Sequence, residues 1–319
     1  MSGGGVSTEG QKNEKGGRIE MRSATTRLAT KPLTIRPAGR TAAVSPLRYP
    51  GGKAALAGFF RDVITRIGTE GGRYVEPYAG GAGAGVVLLS QGVVDELVIN
   101  DIDPAVHAFW HSVVNETEAF VTLVQNTPLT ADEWRKQKAK YRTADETDSL
   151  GLGFAFFYLN RTNRSGILNA GPIGGVNQTG KDKIDARYNR DQLVARIRAI
   201  GRMASQITVL SLDGLAVVRR YANADSTFMY VDPPYVDMGG SLYLNAFSHR
   251  DHADLASALD KAPDGNWIVT YDVSDFIRSR YTMHDVREYQ LSYSAHRIRK
   301  ASELLIASRP VARVLADHG

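Results

Sequence analysis

The sequence predicts an α/β fold that is built on a mostly parallel β-sheet. Short apolar runs alternate with helical patterns from residue 73 onward, which is the rhythm of strands joined by crossover helices. One apolar run is followed directly by two prolines, and these cannot stay in a central strand because they offer no N–H group to the ladder. The 319 residues are 43% hydrophobic and 23% charged, proportions that are typical of globular proteins.

The individual elements follow from the order of these runs. Five parallel strands are predicted over residues 73–76, 96–100, 207–212, 227–231 and 267–271. A Gly-rich turn and a helix through residues 86–90 follow the first strand. Residues 286–293 and 303–308 are strand-like without a helical pattern between them, which predicts an antiparallel hairpin that closes one edge of the sheet.

Two segments depart from this rhythm. Residues 1–42 have no sustained apolar periodicity, and they are predicted to form a disordered basic arm outside the fold. Residues 115–189 are predicted to form a helical insertion, with three successive helices followed by a loop over residues 162–183 that contains five glycines. The main α/β domain is thereby divided into residues 43–114 and 190–319.

Composition and charge exclude several classes of protein. The chain has no cysteine, which excludes disulfides, thiolate metal sites and a cysteine nucleophile, and its His residues form no paired metal-ligand motif. No apolar stretch approaches a membrane span or a signal peptide, so a cytoplasmic protein without a membrane partner is expected.

The basic residues are clustered along the chain. Lys and Arg number 39 against 34 Asp and Glu, and the arm alone carries eight basic and three acidic residues. Outside the arm, residues 160–202 hold nine basic and three acidic side chains, and residues 278–300 hold six and two. Such clusters are either solvated faces or binding sites for a polyanion.

The sharpest motif is Asp232-Pro233-Pro234-Tyr235, directly after the predicted strand 227–231. The chain must leave the sheet there at its carboxyl edge, where ligands bind in open α/β sheets. A carboxylate and a free carbonyl can accept both hydrogens of an exocyclic amine, such as adenine N6, and aim its delocalised lone pair. Tyr235 could stack on the base. The alternative is an ordinary strand-terminating turn with Tyr235 in the core.

A second motif is the Gly-rich segment over residues 76–85, between the first strand and its helix. Because it lacks bulky side chains, a ligand can approach its backbone and the helix N-terminus. Asp101 ends the next strand and could accept from ribose hydroxyls, which favours a nucleoside site over a simple tight connection. Asp213 follows a third strand and could accept from an adenine amine or cap a helix. A third segment, Arg48 to Lys53, lacks the spacing of a phosphate-binding loop.

The order of these motifs resembles the Dam-like family of DNA adenine N6-methyltransferases over about residues 45–310. The matching segments are Tyr49-Pro-Gly-Gly-Lys53, Glu76-Pro-Tyr-Ala-Gly, Asp101, the insertion and Asp232-Pro-Pro-Tyr235. Residues 157–161 and 299–305 are also similar to family segments. The sequence departs from the family at Ala82, where Gly is commoner, and over residues 169–175, which lack the pattern of enzymes that recognise GATC.

The resemblance implies a Rossmann-like methyltransferase sheet with a target-recognition insertion, and an enzyme that transfers a methyl group from S-adenosylmethionine to a flipped adenine of double-stranded DNA. The implied catalytic residues are Asp232, Pro233, Pro234 and Tyr235. The implied cofactor-binding residues are Tyr49, Lys53, Glu76, Tyr78, Gly80, Gly81, Asp101, Asp213 and Asp232. The implied DNA-binding residues are Arg48, Asn160, Arg161, Arg164, Lys181, Lys183, Arg297 and Arg299.

Three other functions stay open at the level of the sequence. They are a DNA-binding module that has lost catalysis, a nicotinamide-dependent oxidoreductase that uses the same glycine loop, and a cytosine N4 methyltransferase. Asp rather than Ser before the prolines favours adenine over cytosine N4, and the absence of cysteine excludes cytosine C5 chemistry. No metal is expected, because the methyl donor needs positioning more than acid or base help. A monomer or weak dimer is expected.

Overall fold

An eight-stranded sheet lies at the centre of the part of the chain that the structure describes. The computed structural model describes residues 1, 33–35, 45–48, 53–235, 247–291 and 302–316. From Leu33 onward, the described residues belong to one compact unit. The strands are β1 (Leu33–Ile35), β2 (Arg73–Glu76), β3 (Glu96–Asn100), β4 (Ile207–Leu210), β5 (Thr227–Val231), β6 (Asn266–Asp272), β7 (Asp285–Leu291) and β8 (Ser302–Ala307).

The sheet is mostly parallel, as the sequence predicts. Its spatial order is β1-β7-β8-β6-β5-β2-β3-β4, and the five strands from β6 to β4 all run parallel. Strand β8 is antiparallel to both β6 and β7, which confirms the predicted hairpin. The chain order reverses between β2 and β5, so the crevice beyond the carboxyl ends of these two strands is the topological switch point where ligands of such sheets bind.

Strand β1 corrects two predictions. It lies within the predicted arm, yet it pairs with β7 and buries Ile35, which is only 3% exposed. It also lies outside β7, so the hairpin does not form the edge of the sheet. Three residues are too few to show a strand period in the sequence, and the segment becomes a strand because β7 offers it an unpaired edge.

Helices cover both faces of the sheet. In chain order they are α1 (Ala57–Ile67), α2 (Gly83–Ser90), α3 (Pro104–Asn115), α4 (Thr117–Asn126), α5 (Ala131–Thr143), α6 (Ser149–Thr162), α7 (Arg190–Gly201), α8 (Gly214–Tyr221), α9 (His249–Asp260), α10 (Asp275–Arg280) and α11 (Arg309–Ala316). In the described ranges, none of the helices is long and apolar enough to cross a membrane.

Alternating side chains of the strands divide the core between the two faces. Tyr74 and Phe228 lie in one apolar cluster with helices α1, α2, α3 and α6, whereas Val75 and Met229 lie in a second cluster with α8 and α9. Adjacent strand residues point to opposite faces, which explains this division. The central strands are therefore buried on both sides, as continuous apolar runs predict.

The three helices predicted at the start of the insertion are α4, α5 and α6. Helix α6 packs on α3 through aromatic side chains, and the rings of Phe109 and Phe157 stack at a centroid distance of 6.0 Å. The loop after α6 is held by Asn163, which accepts from Trp134 Nε1 at 2.7 Å and donates to the carbonyls of Ile167 and Leu168. The apolar core of the insertion is thus continuous with that of the sheet.

Asn100, at the end of β3, fixes the ends of three strands relative to one another. Its side chain is completely buried and donates to the carbonyls of Pro77 and Leu212, at 2.8 and 3.0 Å. It also accepts from the Leu212 amide at 2.9 Å. These three bonds connect the segments that follow β2 and β4 to β3, at the carboxyl edge where the site residues lie.

The substitution Asn100→Ala is expected to lower the free energy of unfolding by about 2–4 kcal/mol, because it leaves the Pro77 carbonyl and both backbone groups of Leu212 without their side-chain partner. Chemical denaturation measures the loss. Asn223→Ala is the control, since the exposed Asn223 makes a single bond to the Lys261 carbonyl. Equal losses in the two variants would contradict the bridging role of Asn100.

Candidate active site

The backbone of the glycine loop after β2 is held in place by the side chains of Asp101, which follows β3, and of Trp110 in α3. The Gly80 amide donates to Asp101 Oδ2 at 2.9 Å, and the Gly80 carbonyl accepts from Trp110 Nε1 at 2.8 Å. Ala82 adopts a left-handed conformation with φ of 41°, which agrees with the family's preference for Gly there. Helix α2 begins at Gly83, where an added Cβ would lie 3.1 Å from the Cβ of Ala54.

Glu76 supports this loop from beneath. Its carboxyl group is buried, and its Oε1 atom accepts from the Gly85 amide in the first turn of α2 at 2.9 Å. Burial raises the pKa of Glu76 to about 8, although the bond from Gly85 acts in the opposite direction. The cofactor contact predicted for Glu76 remains a prediction, and the geometry gives its carboxyl group a structural task.

Asp101 lies at the mouth of the crevice. Its Oδ1 atom accepts from the Asp103 amide at 3.0 Å, and burial raises its pKa to about 6 although its backbone hydrogen bonds oppose the rise. The next residue, Ile102, has a side chain that is 48% exposed. Leu212 is 42% exposed. Asn100 on β3 pairs with Leu210 on β4, and Ile102 and Leu212 each lie two residues beyond this pair. The carboxyl ends of β3 and β4 thus present an acidic group beside exposed apolar side chains.

Asp213 follows β4 and Tyr78 follows β2, at the same carboxyl edge of the sheet. Asp213 caps α8 by accepting from the Leu215 amide at 2.7 Å, so the helix-cap alternative is confirmed for it. The Tyr78 ring packs against Gly214 so closely that an added Cβ would lie 2.2 Å from its Cε1 atom. The hydroxyl group of Tyr78 is buried and has no hydrogen-bond partner among the described residues.

Asp232, after β5, is held through one of its two carboxylate oxygens. Oδ1 accepts from Thr270 Oγ1 at 2.8 Å and from the Tyr235 hydroxyl at 3.3 Å, and it lies 3.5 Å from Lys53 Nζ. No donor among the described residues reaches Oδ2, and the side chain is 22% exposed. The neighbouring Pro233 carbonyl likewise accepts no hydrogen bond from a described residue. Among the described residues, Asp232 Oδ2 and the Pro233 carbonyl are therefore acceptors without a donor, whereas Asp232 Oδ1 already has three polar contacts.

Lys53 lies between two carboxylates. Its Nζ atom is 2.7 Å from Glu303 Oε2, 3.5 Å from Asp232 Oδ1 and 2.8 Å from the Tyr235 hydroxyl. Glu303 Oε2 also accepts from the hydroxyl of Tyr289. The side chain of Lys53 is only 16% exposed, so its charge acts in a poorly solvated environment.

The pKa shifts in this network follow from burial and from the paired charges. Burial raises the pKa of Asp232, and Lys53 and Thr270 counteract part of that rise. Burial alone would lower the pKa of Lys53, but Asp232 and Glu303 outweigh it, so the pKa of Lys53 is raised. We therefore assign Lys53 as a cation in contact with two acidic groups.

Sequence reasoning missed three members of this network, namely Thr270, Tyr289 and Glu303. Thr270 lies within β6, Tyr289 within β7 and Glu303 near the start of β8, and these strands converge only in the folded sheet. Glu303 belongs to a segment that resembles the family, and an acidic residue at the start of an apolar strand was the available signal.

The predicted DNA-binding residues divide into buried and exposed groups. Asn160 is 2% exposed, accepts from the Arg48 amide at 2.7 Å and donates to the Arg48 carbonyl at 2.8 Å. Its side chain is committed to the backbone, so we correct its assignment from DNA contact to positioning of Arg48. Arg161 is half-buried, whereas Arg164, Lys181 and Lys183 are exposed on the loop after α6. Tyr49, Arg297 and Arg299 lie outside the described residues.

The sheet order, the glycine loop at the switch point and the acidic Asp-Pro-Pro-Tyr turn define an α/β protein of the Rossmann-like class, with its candidate site at the carboxyl edge of the sheet. The chain belongs to the D12 class N6 adenine-specific DNA methyltransferase family, whose model matches residues 49–300. It is an adenine-specific DNA methyltransferase, as the sequence predicts. Membership of this family excludes the two alternatives of a nicotinamide-dependent oxidoreductase and a cytosine N4 methyltransferase.

Two curated relatives are similar over most of their length. Type II methyltransferase M.MjaIII of Methanocaldococcus jannaschii is 22% identical over 223 residues, which are 65% of this chain and 74% of that protein. Type II methyltransferase M.CviBI of Paramecium bursaria Chlorella virus NC1A is 22% identical over 249 residues, which are 77% and 90%.

Among solved structures, the rRNA methyltransferase aviRa from Streptomyces viridochromogenes aligns with a TM-score of 0.35 and 16% identity. The alignment covers 85% of this chain and 92% of that one. A similarity of this size is too small to support a conclusion about function.

The substitution Glu76→Gln is expected to change how stability depends on pH. Because the pKa of Glu76 is raised to about 8 in the folded state, the unfolded chain loses the proton first, and stability falls as pH rises from about 4.5 to 8. The substituted amide keeps an acceptor for Gly85 and stays neutral, so the variant should be more stable than the parent at pH 8, by about 4 kcal/mol. The difference should vanish near pH 4.5.

Denaturant unfolding across this pH range makes the measurement. Glu70→Gln reports the general effect of losing an exposed carboxylate. A Glu76→Gln variant whose stability curve runs parallel to that of the parent would contradict a neutral Glu76.

Proposed function

We propose that the protein transfers the methyl group of S-adenosylmethionine to N6 of an adenine flipped out of double-stranded DNA, within a specific sequence. The observation that carries the proposal is the pair of acceptors Asp232 Oδ2 and the Pro233 carbonyl, to which no residue in the described part of the chain donates. An adenine amine carries two hydrogens, and two adjacent acceptors can hold both of them. Since a base inside a duplex cannot reach such a buried edge, the target must leave the helix.

The residues at the switch point fit S-adenosylmethionine. The glycine loop offers backbone without bulky side chains, and Asp101 keeps lone pairs beyond its two backbone bonds for ribose hydroxyls. The exposed Ile102 and Leu212 offer apolar contacts to a flat ring, and the Tyr78 hydroxyl is a buried group in need of a partner. When bound, the cofactor supplies a methyl group that its sulfonium already activates.

The chemistry required of the protein is mainly orientation. Asp232 Oδ2 and the Pro233 carbonyl would draw the amine toward tetrahedral geometry, so that its lone pair points along one direction. Thr270, Tyr235 and Lys53 hold Asp232 Oδ1 and so fix the direction of Oδ2. As N6 gains its carbon it must lose a proton, and Asp232 Oδ2 is the adjacent acceptor.

Glu303 positions Lys53 in this mechanism. The ammonium group lies closer to Glu303 than to Asp232, at 2.7 against 3.5 Å. Without the carboxylate of Glu303, Lys53 would be attracted to Asp232 alone and would compete with the amine for its oxygens. Tyr289 and Tyr235 hold the same oxygen of Glu303.

Sequence-specific modification of duplex DNA is supported by the relatives, which are named type II methyltransferases. The insertion over residues 115–189 is the candidate for sequence recognition, because its glycine-rich loop is surface-exposed and internally organised by Asn163 and Gln178. The intact Asp-Pro-Pro-Tyr turn and its hydrogen-bond network argue against an inactive DNA-binding module.

The substitution Asp232→Asn is expected to lower kcat at least about 100-fold, because the amide replaces an acceptor with a donor. DNA affinity should stay within a few-fold of the parent. Incorporation of labelled methyl groups and fluorescence anisotropy measure the two effects. Asp225→Asn is the matched control, since Asp225 is exposed just before the opposite end of β5. Retained turnover in Asp232→Asn would remove Asp232 from the mechanism.

Single-molecule sequencing of DNA from cells that express the parent protein tests the function itself. It should reveal N6-methyladenine within one recurrent sequence. Unmodified adenine throughout would overturn the proposed function.

The substitution Glu303→Gln is expected to lower kcat by about 10- to 100-fold with little change in the affinity for DNA. The negative charge of Glu303 raises the pKa of Asp232, so its removal should move the acidic limb of the kcat profile to lower pH. Glu288→Gln is the control, because Glu288 lies on the adjacent strand and pairs with Arg278. A loss of kcat with an unmoved acidic limb would indicate structural damage only.

A further inference from the structure

Four arginines, two of them within the insertion, lie close together. They are Arg48 in residues 45–48, Arg161 near the end of α6, Arg187 in the loop before α7, and Arg196 in α7, and we call them the arginine cluster. Arg48 Nη1 donates to the Asn163 carbonyl at 3.2 Å, and Arg196 Nη1 lies 3.5 Å from the Ser45 carbonyl. The buried Asn160, next to Arg161, holds the Arg48 backbone.

The cluster has no compensating carboxylate. In the described ranges, no Asp or Glu lies within ion-pair distance of any of the four guanidinium groups. Arg198, only two residues beyond Arg196, offers the contrast, because Glu118 binds it through two hydrogen bonds of 2.9 and 2.7 Å. The shortage of negative charge is therefore local to the cluster.

Burial acts on Arg48, Arg161 and Arg196, whereas the side chain of Arg187 is exposed. Burial lowers the pKa of Arg161 to about 10, and the charges of Arg48, Arg196 and Arg187 contribute to that lowering, against a smaller opposing effect of Tyr188. Burial followed by the charge of Arg187 lowers the pKa of Arg48. Holding like charges together in poorly solvated surroundings opposes folding unless an anion compensates them.

One donor of the cluster and one of the adjacent Tyr188 lack acceptors among the described residues. Arg161 Nε and the hydroxyl of Tyr188 are buried, and neither has a hydrogen-bond partner in the part of the chain that the structure describes. Tyr188 is 4% exposed, and the guanidinium carbon of Arg190 lies 5.4 Å from its ring centroid. Unpaired buried donors together with unpaired cations indicate an anionic ligand.

The chain connects the cluster to the catalytic network. Arg48 is five residues before Lys53, so their Cα atoms are at most about 18 Å apart. An anion held by the cluster is consequently near the site that we propose for the target amine. On a DNA methyltransferase, the anion with this placement is a phosphate of the DNA backbone.

We propose that the arginine cluster binds a single backbone phosphate of the DNA, a few nucleotides from the target adenine, and so fixes the register of the duplex on the enzyme. This inference rests on the proposed function. Guanidinium groups bind phosphate through paired hydrogen bonds, and several of them around one phosphate give both charge and direction. Arg187 and Arg196 enter as phosphate ligands that sequence patterns did not single out.

A scan with neutral phosphates tests the proposal. A set of duplexes each carries one methylphosphonate, at successive positions around the methylated adenine, and anisotropy gives Kd for the parent and for Arg187→Gln/Arg196→Gln. At one position, the methylphosphonate should weaken binding by the parent about tenfold but binding by the variant less than about twofold. The reason is that the neutral phosphate and the arginine substitutions remove the same contact. The slope of log Kd against log salt should fall by about 0.9 in total, as for one phosphate.

Arg66→Gln provides the matched control, since Arg66 is an exposed arginine of α1 outside the cluster. It should preserve the position-specific effect of the methylphosphonate. If the slope of log Kd against log salt decreased by about 1.8 in the double variant, the two arginines would contact two separate phosphates, which would overturn the single-phosphate site.

Two further outcomes overturn the inference while leaving the proposed function intact. One is a variant that keeps the full methylphosphonate effect at every position while both proteins methylate DNA. The other is that inorganic phosphate raises the thermal stability of the parent but not of the variant, while the methylphosphonate scan shows no position at which the two proteins differ. That result would assign the cluster to a free anion. Failure of the parent to methylate any duplex would instead count against the proposed function.

Discussion

The position of Lys53 between Asp232 and Glu303 is the interaction on which the rest of the site depends. One ammonium group compensates two carboxylates at the meeting point of β5, β8 and the segment before α1. Because the shorter contact goes to Glu303, Asp232 is neutralised in part without losing both of its oxygens. Thr270 and Tyr235 complete the coordination of Oδ1, whereas Oδ2 and the Pro233 carbonyl have no donor among the described residues. An acceptor pair of this kind requires a partly buried charge, and the cation makes that charge tolerable.

Buried polar side chains away from this network hold the surrounding loops in register. Asn100 joins the ends of β2, β3 and β4, and Glu76 anchors the first turn of α2 beneath the glycine loop. Asn160 fixes the backbone of Arg48 in the same way. Each of them satisfies backbone groups that lie outside the strand ladders, so their loss would affect the geometry of the site before it affected its chemistry.

Charge is distributed between two distinct environments. At the catalytic edge, acidic groups outnumber the single lysine, which suits an amine and a sulfonium. In the arginine cluster, cations outnumber acidic groups, which suits phosphate. Arg48 and Lys53 are only five residues apart in the sequence, so the proposed phosphate contact and the proposed orientation of the base involve residues that are close in the chain.

The sequence by itself determined the parallel strands, the hairpin of β7 and β8, the glycine loop and the Asp-Pro-Pro-Tyr turn, because each is a local pattern of apolar runs and special residues. Only the tertiary structure decided that β1 joins the sheet, that Asn160 is buried, and that Glu303, Thr270 and Tyr289 meet Asp232 and Lys53. The reason is that periodicity reports which face of an element is apolar, whereas ion pairs and hydrogen bonds between residues distant in the chain depend on how the strands are ordered. Strand order places Lys53 and Glu303 within 2.7 Å although they are 250 residues apart in the chain.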